Sequence, residues 1–309
     1  MAPRRRGAAL IQGLEVRLMR VLVLGSRGQL GSKVVEVLKQ DAGHDVRGVD
    51  LPELDITREV SVHAAVEGFM PAWIVNCAAY TDVERAEIEP ETAYALNSTA
   101  VAILADAALR IGARLLHLST DYVFSGFFHG STPHPYEEED LPGPINVYGA
   151  SKLAGEVCLA NHEARSIVVR TSWLYGGPSR NFLGTMLKLA EDVKASGRPI
   201  RVVTDQVGSP TDAWSLALQV QRLLGEDLRG IIHASSRGET SWFGFAKAIF
   251  KEAGLQIPVE PIASADFPTH ARRPAYSVLS KKRLEDLGVN VLPSWDEGLR
   301  LALRKLGIR

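Results

Sequence analysis

Cysteine is scarce in this chain: Cys77 and Cys158 are the two thiols in 309 residues, far apart and in no C-x-x-C pair. Such sparse usage speaks against thiols acting as ligands. It fits a reducing, cytoplasmic compartment in which each thiol is a small packed apolar group. A surplus of either charge is also lacking, since 35 Lys and Arg face 36 Asp and Glu for a formal net charge of -1. Without a basic excess the chain lacks the broad electrostatic footprint of a nucleic-acid binder, so no nucleic-acid partner is expected. A local basic pocket for a diphosphate is still compatible with that balance. No uninterrupted apolar run approaches the roughly 20 residues of a membrane span, so no membrane partner is expected either.

What is present is ordinary for a globular enzyme: 46% hydrophobic and 23% charged residues, in a length that suits one large or two closely packed domains. The segment Met1–Leu18 stands apart. Arg4, Arg5 and Arg6 precede a short apolar stretch interrupted by Gln12 and Glu15, too short for a secretory signal. Met19 directly precedes the first strand, so residues 1–18 read as a disordered extension or a misplaced start.

From Arg20 onward, strands alternate with helices. Val21–Leu24 is wholly apolar, as in a strand buried on both faces, and Gln29–Lys39 has helical spacing. Asp45–Val49, Trp73–Cys77, Arg114–Leu118 and Ser166–Arg170 read as further strands. Thr57–Phe69, Glu91–Ile111 and Val147–Asn161 read as helices between them. This rhythm predicts an α/β fold, a Rossmann-type doubly wound parallel sheet over residues 19–175. After Gly176 the rhythm loosens, with helices at Asn181–Lys194, Trp214–Leu224, Trp242–Ala253 and Asp296–Lys305. Residues 176–309 are therefore expected to form mainly a smaller substrate-binding lobe, with some segments returning to the sheet.

Gly25-Ser26-Arg27-Gly28-Gln29-Leu30-Gly31 has glycines spaced G-x-x-G-x-x-G between the first strand and helix. That context suits a dinucleotide: a tight turn at Gly25, backbone N–H groups near a pyrophosphate at Gly28, and close helix–strand packing at Gly31. Asp50 ends the second strand, where an acid commonly accepts from the adenosine ribose hydroxyls and favours NADH. Arg27 inside the loop can instead meet a 2′-phosphate and favour NADPH, so the choice between the two stays open at this point. Asp55, followed by Ile56, either meets the adenine or starts the helix before Thr57. Ala78, Ala79 and Tyr80 follow the third strand, where small residues let a coenzyme lie against the backbone.

Tyr148 and Lys152 stand four apart, one helical turn on the same face. A free phenol has a pKa near 10 (roughly) and is a poor acid at neutral pH, so a nearby ammonium that stabilises the tyrosinate makes proton transfer feasible. Thr120, just after the fourth strand, lies where open α/β sheets bind ligands and can hydrogen-bond a substrate carbonyl.

At these residues the sequence resembles the extended short-chain dehydrogenase/reductase family. The matching segments include Gly28–Gly31, Asn76–Thr81, Ser119–Phe124, Tyr148–Glu156, Arg170–Tyr175, Asp205–Thr211 and Arg272–Pro274, so the likeness covers nearly everything from Met19 onward. Within the family it is closest to reductases of a ketone on a nucleotide-linked deoxysugar. The resemblance implies that Thr120, Tyr148 and Lys152 are catalytic, with Thr120 also meeting the substrate, and that Gly25, Gly28, Gln29, Leu30, Gly31, Asp50, Asp55, Ile56, Ala78, Ala79, Tyr80, Asn97, Tyr148 and Lys152 bind NADPH or NADH. It implies that Asn97 holds a water that relays protons to Lys152, and that Val83, Asp121, Tyr122 and Trp173 line the sugar pocket. Asp205-Gln206 with Arg272 or Arg273 would meet the diphosphate. Some relatives hold Mg²⁺ at a subunit interface through carboxylates, but the matching positions here are Lys33 and Trp214, so no metal is expected and the chain reads as a monomer or homodimer.

Two other classes fit the same scaffold. A sugar-nucleotide dehydratase needs an acid where Tyr122 stands, and an epimerase consumes no net NAD(P)H. A non-catalytic regulatory subunit of methionine adenosyltransferase resembles this family too, but the intact Thr120, Tyr148 and Lys152 weigh against a binding role alone.

Overall fold

The computed structural model describes residues 19–41, 43–128, 132–176, 181–267 and 269–308, so the expected leading extension, Met1–Leu18, lies outside the described residues. Along the chain run β1 (Met19–Leu24), α1 (Gln29–Lys39), β2 (His44–Val49), α2 (Glu59–Phe69), β3 (Trp73–Asn76) and α3 (Pro90–Ile111). They are followed by β4 (Arg114–Thr120), α4 (Val147–Ala160), β5 (Ser166–Thr171), α5 (Phe182–Ser196), α6 (Ala213–Leu224), β6 (Gly230–His233), α7 (Trp242–Glu252) and α8 (Trp295–Lys305). The six strands form one parallel sheet in the order β6-β5-β4-β3-β1-β2. The reversal of order lies beside β1, and its carboxyl edge is where such sheets bind ligands.

Both faces of the sheet are covered. Val21 and Val23 pack with α1 and α6 on one side, while Leu22 and Leu24 pack with α2 and α3 on the other. This alternation within an all-apolar strand is the physical content of the pattern read from Val21–Leu24. A separate core joins Leu183 and Met186 of α5, Phe245 and Ile249 of α7, and Leu299 and Leu303 of α8. It also takes in Ile200 and Val202 from a short strand, Ile200–Val203, which pairs in parallel with Val259–Ile262. From the later half of the chain, β6, α6 and residues such as Leu284 and Val289 join the core of the sheet instead.

Two local readings are corrected. The fourth strand extends past Leu118 to Thr120, because Ser119 and Thr120 stay in register with Arg170 and Thr171. The helix read from Glu91 carries a π turn at Ala95–Thr99, and Asn97 sits within it. Such turns often mark functional sites. By length and composition α3 could cross a membrane, but Ala100, Val101, Leu104, Ala105 and Ala108 are buried against the sheet and its neighbouring helices.

Candidate active site

The glycine loop is held by backbone contact. Gly25 has a left-handed φ of 70°, and a Cβ added there would lie 2.6 Å from the Ala78 nitrogen. A Cβ on Gly31 would fall 2.1 Å from the Gly25 carbonyl oxygen, so α1 starts directly against the turn. Gly28 is the N-cap of α1, no side chain caps it, and the first turn contains no acid. A helix start with neither a capping side chain nor an acid is the arrangement that attracts a pyrophosphate. Leu30 is in the core beneath it. These residues fit a dinucleotide.

The two carboxylates beyond the loop are both engaged. Asp50 accepts from the backbone N–H of Arg27 and of Leu51, each at 2.8 Å, which locks β2 to the glycine loop. The Arg27 guanidinium reaches the Leu51 carbonyl at 2.8 Å and Glu53 at 2.7 Å. Asp55 accepts from the Thr57 N–H at 3.0 Å and its hydroxyl at 2.7 Å, bonds that hold its carboxyl below the usual range. These bonds close a turn ahead of α2, whose N-cap is Arg58, so Asp55 does not start the helix. Ile56 is buried in the core under α2. Ala78, bonded to Asn76 Oδ1 at 3.1 Å, and then Ala79 and Tyr80 leave β3 beside Gly25.

Thr120, Tyr148 and Lys152 converge at the carboxyl end of β4. Asn146 starts α4 by accepting from the Gly149 N–H at 2.7 Å. A Cβ on Gly149 would fall 2.1 Å from the Tyr122 carbonyl oxygen, so only glycine lets α4 approach this closely. That approach brings the Tyr148 hydroxyl close to the Thr120 hydroxyl. Tyr122 packs edge-on to Tyr148, with ring centroids 5.9 Å apart.

The i,i+4 spacing predicts an ammonium beside the phenol. Lys152 Nζ donates to the Leu118 carbonyl at 2.6 Å and lies 3.2 Å from His117 Nε2. Burial pushes the Tyr148 hydroxyl up to about 12, and the bond from Thr120 opposes that shift. Burial also pushes Lys152 down to about 8 against the attraction of Glu156.

Asn97 uses both amide N–H donors, on the Tyr80 carbonyl and on Ser151 Oγ, each at 3.0 Å, while its Oδ1 accepts from the Tyr80 N–H at 2.9 Å. The side chain ties the loop after β3 to α4.

On the other side of Thr120, Asp121 is buried and bonded to Ser277 and Thr120, while its Oδ2 has no partner. Burial pushes its carboxyl up to about 7. Val83 begins a short helical turn whose Glu84 accepts from Arg273 at 2.8 Å and from the His270 N–H at 2.8 Å. Trp173, at a left-handed φ of 45°, stacks on Trp242 at 3.5 Å between ring centroids. Asp205 and Gln206 do not turn to a diphosphate: Asp205 accepts from the Ser264 N–H and hydroxyl, and Gln206 donates to the same hydroxyl. Arg272 stands over the Phe127 ring.

Comparison with known proteins follows this geometry. The family model described as the RmlD substrate binding domain matches residues 19–308. The chain belongs to this family. It is 41% identical over 295 residues to dTDP-4-dehydrorhamnose reductase of Sinorhizobium fredii, covering 91% of this chain and 96% of that protein. The enzyme of the same name from Mycobacterium tuberculosis strain H37Rv is 40% identical over 291 residues, covering 93% of each chain. A solved dTDP-4-dehydrorhamnose reductase from Bacillus anthracis, in complex with NADP, superposes with a TM-score of 0.87 at 39% identity, covering 93% of this chain and 99% of that one.

Several residues of this RmlD-family site escape sequence reasoning. Trp242 stacks on Trp173 from far along the chain, and Ser277 bonds Asp121 from farther still. His117 and Asn76 sit behind Lys152, inside apolar strands where a polar residue in a buried run was the available signal. At the positions considered for a metal, Lys33 pairs with Glu36 at 2.7 Å and lies over the Trp214 ring, whose face also receives Lys305.

Proposed function

We propose that the chain reduces the C4 ketone of dTDP-4-dehydro-6-deoxy-L-mannose (dTDP-4-dehydrorhamnose) to dTDP-L-rhamnose. The observation that carries this reading is the hydroxyl pair Thr120–Tyr148, brought side by side at the sheet edge where α4 meets Tyr122. The relatives named above supply the substrate and the coenzyme. A bound NADPH or NADH supplies the hydride. Tyr148, held protonated by burial, gives its proton to the carbonyl oxygen as that oxygen gains negative charge, so the ketone becomes a secondary alcohol. Thr120 orients the carbonyl and keeps the phenol aligned.

Asp121, Tyr122, Val83 and Trp173 line the deoxysugar side in this reading. An indole face suits the apolar face of a sugar ring, and the unpartnered Asp121 Oδ2 suits a sugar hydroxyl. Arg272 and Arg273 are the cations on that side, and guanidinium suits a diphosphate. The two free thiols fit a cytoplasmic enzyme, acting as a monomer or homodimer.

The test supplies this substrate with NADPH or NADH and follows coenzyme absorbance in the parent and in Tyr148→Phe. Turnover by the parent and a kcat loss of roughly 10²-fold or more in the variant support the reading. Near-parental kcat in Tyr148→Phe would remove the phenol from the proton step. No net coenzyme consumption by the parent would point to an epimerase or a binding protein.

A further inference from the structure

A polar row crosses the sheet on the face that α4 covers. Asn76 on β3 is in register with His117 on β4, Ser119 with Arg170 on β5, and Arg170 with His233 on β6, and all five are buried. His117 and Ser119, two apart, share a face of β4. Two side chains of α4, one turn apart, come down on this row: Lys152 at the His117 end and Glu156 at the Ser119–Arg170 end. A buried ion pair such as Glu156–Arg170 is poor evidence of stability, because apolar residues of similar volume often serve the fold as well. Its place beside the reacting groups gives it another use.

The row fixes where the Glu156 charge sits. His233 Nδ1 is 3.0 Å from the Tyr136 carbonyl, which can only accept, so that nitrogen carries the ring proton. Burial and the Arg170 charge hold His233 down to about 3, so the ring is neutral and its bare Nε2 accepts from Arg170 Nη1 at 3.3 Å. The guanidinium is thereby turned so that Nη2 and Nε meet Glu156 at 2.7 Å and 3.0 Å. Ser119 donates its hydroxyl to the same carboxylate. Arg170 comes from β5, one strand beyond the β4 contacts of Lys152, whereas Glu156 shares the helix with Lys152. The other titratable groups that face Lys152 are neutral. Burial and Lys152 itself hold His117 well below its ordinary value, and burial pushes both Cys77 and Tyr148 up to about 12. Against the burial that draws Lys152 down to about 8, Glu156 is the anion that pulls the other way.

We propose that Glu156, oriented by Ser119 and Arg170, is a positioning residue whose carboxylate is the counter-charge that keeps Lys152 an ammonium. The use of that charge rests on Tyr148 being the proton donor. An ammonium one turn away stabilises the tyrosinate as the proton leaves, so the Glu156–Arg170 pair sets the upper pH limit of the reduction.

Nuclear magnetic resonance tests the counter-charge without turnover, so its outcome is separate from that of the substrate assay. Lysine ¹³Cε shifts followed against pH report Lys152, assigned by its loss in Lys152→Arg. The parent midpoint is expected at about 8. Glu156→Met combined with Arg170→Met removes both charges and keeps the site filled, and should lower the midpoint by at least one unit, or about tenfold in proton affinity. Glu156→Gln leaves Arg170 charged and should lower it further. Ser119→Ala keeps both charges and should move it by less than about half a unit. In the double variant the alkaline limb of kcat should fall to lower pH by the same amount as the midpoint, whereas lost packing alone would lower kcat at every pH alike. An unchanged Lys152 midpoint in a folded pair variant overturns the proposal, as does an equal fall in Ser119→Ala or a parent midpoint below about 7. If neither pair variant folds, the Glu156 ¹³Cδ shift of the parent decides. A carboxylate that stays ionised through the Lys152 titration supports the proposal, and one protonated in that range overturns it.

Discussion

The two halves of the site are built by different means. On the coenzyme side the contacts are local and made largely by backbone: Gly25 against Ala78, Gly31 against Gly25, and Asp50 on the Arg27 N–H. Its polar side chains are satisfied within the protein, as Asp55 is by Thr57 and Asn76 by Ala78 and His117. On the sugar side the side chains arrive from widely separated segments, Val83, Asp121, Trp173, Trp242 and Arg273 among them, and two buried polar atoms, Asp121 Oδ2 and Arg273 Nε, have no partner. A pyrophosphate is recognised by amides that every residue carries, so a tight turn suffices. A sugar has to be met by particular side chains, and their unused hydrogen-bonding capacity is what a ligand would fill.

Breaking the backbone side should have the largest effect. Gly31→Ala puts a Cβ 2.1 Å from a backbone oxygen with no flexible neighbour to yield. We expect dinucleotide affinity, read by fluorescence titration, to fall at least roughly 100-fold, with a loss of about 3 kcal/mol in denaturant unfolding. Parental affinity in this variant would mean that the loop relaxes, and that the contrast with the sugar side is overstated.

Asp121 probes the opposite side. Its folded pKa of about 7 lies above the ordinary carboxylate value, so the folded state holds a proton that the unfolded chain releases. Stability from this group is complete below about pH 4 and is lost as pH rises toward 7. Asp121→Asn should remove that decline, about 4 kcal/mol, measured as the parent-minus-variant difference in unfolding free energy between about pH 4 and 7. A difference that does not vary with pH would mean that Asp121 is already ionised, and that the sugar side stores no unmet charge.

This contrast also explains what was legible in advance. The glycine spacing, the all-apolar Val21–Leu24 and the Tyr148/Lys152 turn are short-range signals, and the parallel sheet with its hydroxyl pair follows from them. Trp242 and Ser277 reach the site only through the packing of the later chain, and no local period announces them. The π turn around Asn97 and its bonds to Tyr80 and Ser151 are tertiary features that the helical pattern did not announce. The surroundings of Lys152 were hidden for a related reason. Helical spacing puts two side chains on one face, but the partners on β4 decide where a long lysine ends.

Trp242→Ala sharpens the sugar side further. The indole is half-buried, stacks on Trp173 and touches Phe182 at 4.6 Å between centroids. Its removal should cost about 1.5 kcal/mol in unfolding and raise KM for the sugar nucleotide several-fold, while NADPH affinity stays at the parental value. A matching loss of NADPH affinity would show that the two sides are coupled through the sheet.

Arg27 carries the smallest expected effect and bears on coenzyme choice. Its guanidinium lies on the Leu51 carbonyl and on Glu53 beside Asp50, in an exposed setting. An exposed pair of this kind is worth little, so Arg27→Ala should change unfolding free energy by no more than about 0.5 kcal/mol. A 2′-phosphate is a stronger partner than Glu53, because it offers more charge and a geometry that guanidinium matches. If Arg27 leaves Glu53 for that phosphate, the variant should lose about 3- to 10-fold in NADPH affinity and keep its NADH affinity, which Asp50 serves through the ribose hydroxyls. Equal losses for both coenzymes would mean that the Arg27 side chain only stiffens the loop through its bonds to the Leu51 carbonyl and Glu53, with no part in choosing the coenzyme.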